Sequence, residues 1–234
     1  MISNELLDTI AILIFIICIS IYAIVLLYKI KRPSPGERGF LNILYGLWVK
    51  RMIDTNETII AIQTLRNLIM VVTFLSTSML LLLGLILQSP AVDIYATSAN
   101  IFAQYKLILF VVVIVFSVTM FLLSLRQMVR FSILIGIPSE SINNISEDFI
   151  SSNQTKLKNK GNDHFYRYTE RLRRDVFIKA MNRFTFGMRA VFYGIVITLF
   201  FVNTYAFIIG TFSLTIFLVI HHDVEPSPIE KLPI

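Results

Sequence analysis

In four stretches of this chain the apolar positions neither alternate nor keep to one helical face. They run unbroken. Ile10 to Leu27, Leu68 to Leu87, Leu107 to Leu125 and Ala190 to Ile220 contain no charged residue. About 20 apolar residues in an α-helix match the ~30 Å hydrocarbon core of a bilayer. In lipid a single segment can satisfy its own backbone groups only as a helix. The pattern therefore predicts spanning helices.

The second run shows how such a helix begins. Asp54 can cap free N–H groups and Glu57 can reach back to it, as in a capping box. No proline follows before Leu87, so one helix is expected from about Thr55 to about Leu87, roughly 50 Å long. Its first third holds Glu57, Gln63, Arg66 and Asn67, and the rest is uncharged. The QTLRN segment marks the passage from water into lipid.

The last run, Ala190 to Ile220, is too long for one perpendicular span, since as a single helix it would measure about 46 Å. Splitting it at Asn203–Thr204 gives pieces 184–202 and 205–221, each within the spanning range of ~17–25 residues. Asn is a favoured turn residue. The split is preferred, giving five spans at about 10–28, 68–87, 106–125, 184–202 and 205–221, against four without it. Between spans, RPSPGERG (Arg32 to Gly39) reads as a Pro/Gly loop. Phe40 to Met52 reads as a helix with Phe40, Leu41, Ile43, Leu44, Leu47 and Trp48 on one broad face. Two settings suit that face: the membrane interface, with Trp48 at headgroup level, or the protein's own cytoplasmic helices. Gln88 to Gln104 is a polar connector. Apolar character persists past Arg126 and Arg130 to Ile137, so the third spanning helix is expected to outrun the lipid. Pro138 to Asp163 reads as a loop with a short helix around 141–150. A basic amphipathic helix from His164 leads straight into the fourth span. The fold class is an all-α integral membrane protein with four or five transmembrane helices. It forms a single membrane domain, 1–234, whose long helices extend into the cytoplasm.

Composition agrees: 56% of residues are apolar, 15% are charged and 19 are phenylalanine. Charge then sets direction. Of the 21 Lys and Arg, seven lie between Lys29 and Arg66 and twelve between Arg126 and Arg189. The positive-inside rule places regions 29–67 and 126–183 in the cytoplasm and the N-terminus outside, in the cell membrane. Glu5 and Asp8 precede the first run, where a signal peptide needs positive charge, so that run reads as an anchor. N-x-S/T sequons at Asn56, Asn144 and Asn153 then face the cytoplasm and read as chance. The single cysteine, Cys18, offers no disulfide framework and no Cys-based metal site.

Signatures of hydrolases, zinc peptidases and phosphate loops are absent. His221, His222 and Asp223 read as a polar end to the last span rather than a metal site. No enzyme activity, metal or cofactor is expected. The basic helix comes with no nucleic-acid recognition module. No ionisable residue sits mid-span, which disfavours a carboxylate relay. Hydroxyls remain: Thr73, Ser76 and Thr77 on the second span, with Gly84 further along, and Ser117 and Ser124 on the third. Gly187, Gly194 and Thr198 share a face of the fourth. Such stripes serve helix packing or line a pore built by a ring of subunits. Arg66 and Arg189 would stand at its inner mouth. Lys29, Lys31, Arg32, Arg171, Arg173 and Arg174 suit contact with anionic lipid headgroups. The functional expectation is a homo-oligomeric channel or pore for small ions, anions more than cations. The alternative is a non-transporting membrane module that binds anionic lipid or a partner protein through its basic helices.

The stretch AIQTLRNLIMVVTFLSTSMLLLLG (Ala61 to Gly84) together with FGMRAVFY (Phe186 to Tyr193) resembles domain-of-unknown-function family 599. Those are multi-pass membrane proteins of bacteria, archaea and plants. Trp48 with Met52 and the basic helix before Phe186 extend the resemblance over most of the chain. Two departures stand out. Many relatives carry a Gly-Pro-like break where this chain has Asn203–Thr204, and the Ser/Asn-rich run 139–162 resembles an insertion. The resemblance implies a fold and no activity.

Overall fold

The computed structural model describes residues 4–31, 38–55, 57–88, 101–137 and 161–221. They form six helices: α1 (Asn4–Lys31), α2 (Arg38–Asp54), α3 (Thr58–Leu87), α4 (Ile101–Gly136), α5 (Gly161–Val202) and α6 (Thr204–His221). No strand occurs among the described residues. Four helical stretches are long and apolar enough to cross a membrane: Leu6–Tyr28, Thr58–Leu87, Gln104–Gly136 and Glu170–Val202; a shorter apolar one is Thr204–Ile220. The chain is an all-α membrane protein. Residues 89–100 of the connector, 32–37 of the Pro/Gly loop and the short helix expected at 141–150 lie outside the described residues; 101–104, expected in the connector, already belong to α4, and 38–39, expected in the loop, to α2.

One helix start differs from expectation. Asp54 does not cap α3; it is the last residue of α2. The Thr55 N–H and hydroxyl both donate to the Arg51 carbonyl, at 2.9 and 2.8 Å, and so hold the chain to the end of α2 one residue past Asp54. The Glu57 carbonyl then accepts from the Ala61 N–H at 3.2 Å and opens α3 three residues later than predicted. Local capping chemistry was present at Asp54, but the competing bonds at Arg51 won.

The chain divides into two compact units: residues 1–43, 77–120 and 185–234 form the first, and 44–76 with 121–184 the second. In the first, α5 and α6 make an antiparallel hairpin. Asn203 sits at its turn, and its side-chain oxygen accepts from the Tyr205 N–H at 2.8 Å, an N-cap for α6. The break therefore falls at Asn203–Thr204. Across the hairpin Phe200 stacks on Phe207 with centroids 4.3 Å apart. Gly210 allows the close approach, since a Cβ there would stand 3.0 Å from Leu199 Cδ1. Helix α1 packs on this hairpin, with the Phe15 ring 5.4 Å from Phe207 and 5.8 Å from Tyr193. At one end a polar clamp joins α1, α4 and α6. Asp8 pairs with Lys106 at 2.9 Å and accepts from the Thr204 hydroxyl at 2.6 Å, while the Lys106 ammonium lies 4.3 Å from the centre of the Phe200 ring.

In the second unit α2 packs against α5. Tyr45 meets Phe177 edge-on at 5.8 Å, and Trp48 stacks on the same ring at 5.2 Å. Phe131 of α4 closes on it at 4.8 Å. Of the two settings open to α2, this unit realises packing on the protein's own helices, although Leu44 and Leu47 stay exposed.

Candidate functional site

The hydroxyls singled out in the sequence fall into two environments. Thr73 and Thr77 are exposed on α3, only 11% of whose apolar stretch is buried. Ser76 is buried, and its Oγ has no hydrogen-bond partner among the described residues. Ser117 and Ser124 are buried on α4 and donate to the α5 carbonyls of Gly187 (3.0 Å) and Ala180 (2.7 Å). These bonds tie α4 to α5 at both positions, and Ser117 also borders a cavity of about 160 Å³. A serine proton that is committed to a neighbouring backbone closes a helix interface.

The basic candidates also separate. Arg66, Arg171 and Arg174 are exposed. Lys29 and Lys31 belong to the end of α1, and Arg32 lies outside the described residues. Arg173 was expected to face lipid headgroups; it is instead buried. Its Nη2 donates to the Ile137 carbonyl at 2.8 Å, just past the end of α4. A cation there satisfies a terminal carbonyl and complements the negative end of the helix dipole.

Arg189 is different again. It lies in the apolar stretch of α5 and is 3% exposed. Its guanidinium carbon sits 5.0 Å from the centre of the Tyr22 ring on α1, a cation–π contact. Around it is a cavity of about 310 Å³, lined among others by Ile19 and Tyr22 of α1, Val112 and Phe116 of α4, and Tyr193 of α5. The Tyr22 hydroxyl is buried and has no hydrogen-bond partner among the described residues. Tyr193 is committed elsewhere. Thr215 donates its proton to the Thr211 carbonyl at 2.7 Å, so the Tyr193 hydroxyl is the donor in its 3.2 Å bond to Thr215. The cavity wall itself is apolar, and the Arg189 guanidinium and the Tyr22 hydroxyl are buried beside it. Chemically it suits an anionic group carried on an apolar body.

A family model described as "Protein of unknown function, DUF599" matches residues 10–226. The chain belongs to that family. No curated protein and no solved structure matches it. Arg189, Tyr22 and the other residues named around the cavity lie inside the matched span.

Sequence reasoning missed Tyr22 and the polar clamp. Tyr22 looks like one more member of the first apolar run, and Asp8 and Lys106 entered only as signs of charge. The available signal was the chemistry of Arg189 itself. A guanidinium five residues into the fourth predicted span needs an aromatic or anionic neighbour, and α1 supplies Tyr22.

Proposed function

We propose that this chain is a membrane protein without enzymatic activity that binds an anionic group at Arg189, inside the bilayer. The carrying observation is one side chain: Arg189, 3% exposed within a spanning helix, borders a cavity of about 310 Å³. Ionisable groups in spans are costly and mark functional sites by default. On this reading the protein sits in the cell membrane with its N-terminus outside, and the basic regions 29–67 and 126–183 face cytoplasmic headgroups. Arg171 and Arg174, both exposed, add attraction to anionic lipid of about 1 kcal/mol per residue near the surface.

Thermal unfolding of the purified chain in neutral detergent tests the reading. Dodecyl phosphate near 100 times its dissociation constant should stabilise by about 2.7 kcal/mol, a rise in Tm of roughly 5–10 °C. Arg189→Met should abolish the rise. A rise of the same size in the variant, or none in either protein, contradicts the assignment.

A second reading, a homo-oligomeric pore for small ions with anions favoured, rests on α3. That helix leaves Thr73 and Thr77 uncovered, and a ring of copies would turn such a face toward a common axis. It requires chloride or potassium flux into proteoliposomes that changes when Thr77→Cys is modified by a polar thiol reagent. Flux indifferent to that modification removes it.

A further inference from the structure

Helix α2 packs by one side and leaves the other exposed. Val49 and Met52 are buried, and Tyr45 and Trp48 lie on Phe177. Leu44, Leu47, Lys50 and Arg51 are exposed, the two leucines at 42 and 58%. Residues 44, 47 and 51 keep the i, i+3, i+7 spacing of one helical side, and Lys50 stands beside them. That side is apolar toward the start of the helix and cationic toward its end. A side turned wholly to water would be polar throughout.

The neighbours of α2 set its depth. It rests on Phe177 of α5, against which Phe131 of α4 also lies. Phe131 stands six residues past Leu125, the expected end of the third span, and Phe177 seven before Phe184, the expected start of the fourth. At 1.5 Å per residue both lie about 10 Å beyond the hydrocarbon, and less where the helices tilt. The headgroup layer on each side of a bilayer is about 5–8 Å deep. So α2 stands at the bilayer surface. Helix α3 gives its direction, since it opens at Thr58, soon after α2 ends, and its uncharged part begins at Leu68, about 15 Å of helix later. Asp54 is therefore on the water side, and Leu44 and Leu47 are nearer the lipid.

One more cation joins this side. A Cβ on Gly46 would come within 2.7 Å of the Arg174 Cδ, so the bare backbone there lets the arginine stem lie against α2. Arg174 is exposed, and its pair with Asp175 is loose, at 3.9 Å. Against the three cations stand Asp175 and Asp54, the latter farthest from the lipid.

We propose that the exposed side of α2 is a contact with the lipid surface: Leu44 and Leu47 sit at the boundary of headgroups and acyl chains, and Lys50, Arg51 and Arg174 meet the phosphates of anionic phospholipids. Interfacial helices bury an apolar side about 5–10 Å into that boundary. Phosphates lie farther from the hydrocarbon than the boundary does, which is where α2 carries its charge. Long basic side chains keep their heads at that level while their stems cover apolar surface. The contact gives the headgroup attraction described above a definite seat, and it does not depend on an anion at Arg189.

Spin labels on the full chain in phosphatidylglycerol bilayers read the depth of this side. The native thiol, Cys18, is buried, and Cys18→Ala provides a background for Leu44→Cys, Leu47→Cys and Asp54→Cys one at a time. Labels at the two leucine positions should collide with dissolved oxygen more often than with a water-soluble nickel chelate, and the label at Asp54 should show the reverse. Should one leucine variant fail to fold, the other reads the same side. In phosphatidylcholine bilayers, or with Lys50→Gln, Arg51→Gln and Arg174→Gln combined, nickel collisions at Leu47 should rise about twofold or more. Nickel collisions that prevail at both leucines put this side in water and overturn the proposal. Few collisions with either reagent mean that a second copy or a partner protein covers it, and overturn the proposal too. A depth indifferent to lipid charge and to the three glutamines overturns the phosphate contact. None of these results bears on Arg189, whose reading stands or falls on the thermal-unfolding test.

Discussion

Arg173 and Arg189 lie sixteen residues apart on α5, each 3% exposed, and their surroundings give them different roles. Arg173 meets a carbonyl oxygen left over at the end of α4, a group that needs a donor wherever it is buried. Arg189 meets the face of an aromatic ring and the wall of a cavity. The first arrangement completes a helix end and leaves nothing for a ligand to do. The second holds a charge against apolar walls where an incoming anion gains most from it, because the local dielectric is low. Burial of a cation alone says little about function; what the cation faces decides.

The largest expected effect separates the two by stability. Arg173→Met removes a charge-assisted hydrogen bond and leaves the Ile137 carbonyl without that donor, so it should lower unfolding stability by about 2–3 kcal/mol in denaturant titration. Arg189→Met removes the cation–π contact with Tyr22 but also the cost of holding a charge away from water, so the net loss should be smaller, about 1 kcal/mol. Equal losses at the two positions would mean that Arg189 is structural as well, and the comparison would collapse.

A smaller effect sharpens the same contrast among hydroxyls. Ser117→Ala and Ser124→Ala should each cost about 0.6 kcal/mol, the usual size of an interhelical hydrogen bond in a membrane protein. Thr73→Val and Thr77→Val, on the uncovered face of α3, should cost less than half of that in the same titration. A loss at the threonines as large as at the serines would place that face inside an interface.

Much of the fold was legible because membrane helices announce themselves by length. The uncharged runs on α1, α3, α4 and α5 are visible without any neighbour. Asn203 was legible for a related reason: the run containing it was too long for one span, and Asn has a side chain that can cap the helix after it. The start of α3 was not. Asp54 and Glu57 satisfy a capping pattern, but the bonds from Thr55 to Arg51 extend α2 past it, and a one-dimensional pattern does not rank the two.

The candidate site was half legible. Arg189 was visible as a charge near the inner end of a span, but not what faces it, because Tyr22 is distant in sequence and sits in a run that looks wholly apolar. Ser117 and Ser124 were visible as hydroxyls on one face of α4. Whether such a face meets water or a neighbouring backbone is a tertiary fact, fixed by the carbonyls of Gly187 and Ala180.

The most direct test of an anion at Arg189 is a solid-state NMR distance. Protein with ¹⁵N-labelled arginine, reconstituted in a phosphorus-free glycolipid bilayer with one equivalent of dodecyl phosphate, would be measured for dephasing between guanidinium nitrogen and phosphorus. A charge-assisted N–H···O bond of about 2.8 Å puts phosphorus roughly 4 Å from nitrogen. The account predicts strong dephasing at that distance in the natural chain and its loss in Arg189→Met. Dephasing that is the same in both proteins would show that the phosphate sits on exposed arginines, and would contradict the assignment of Arg189.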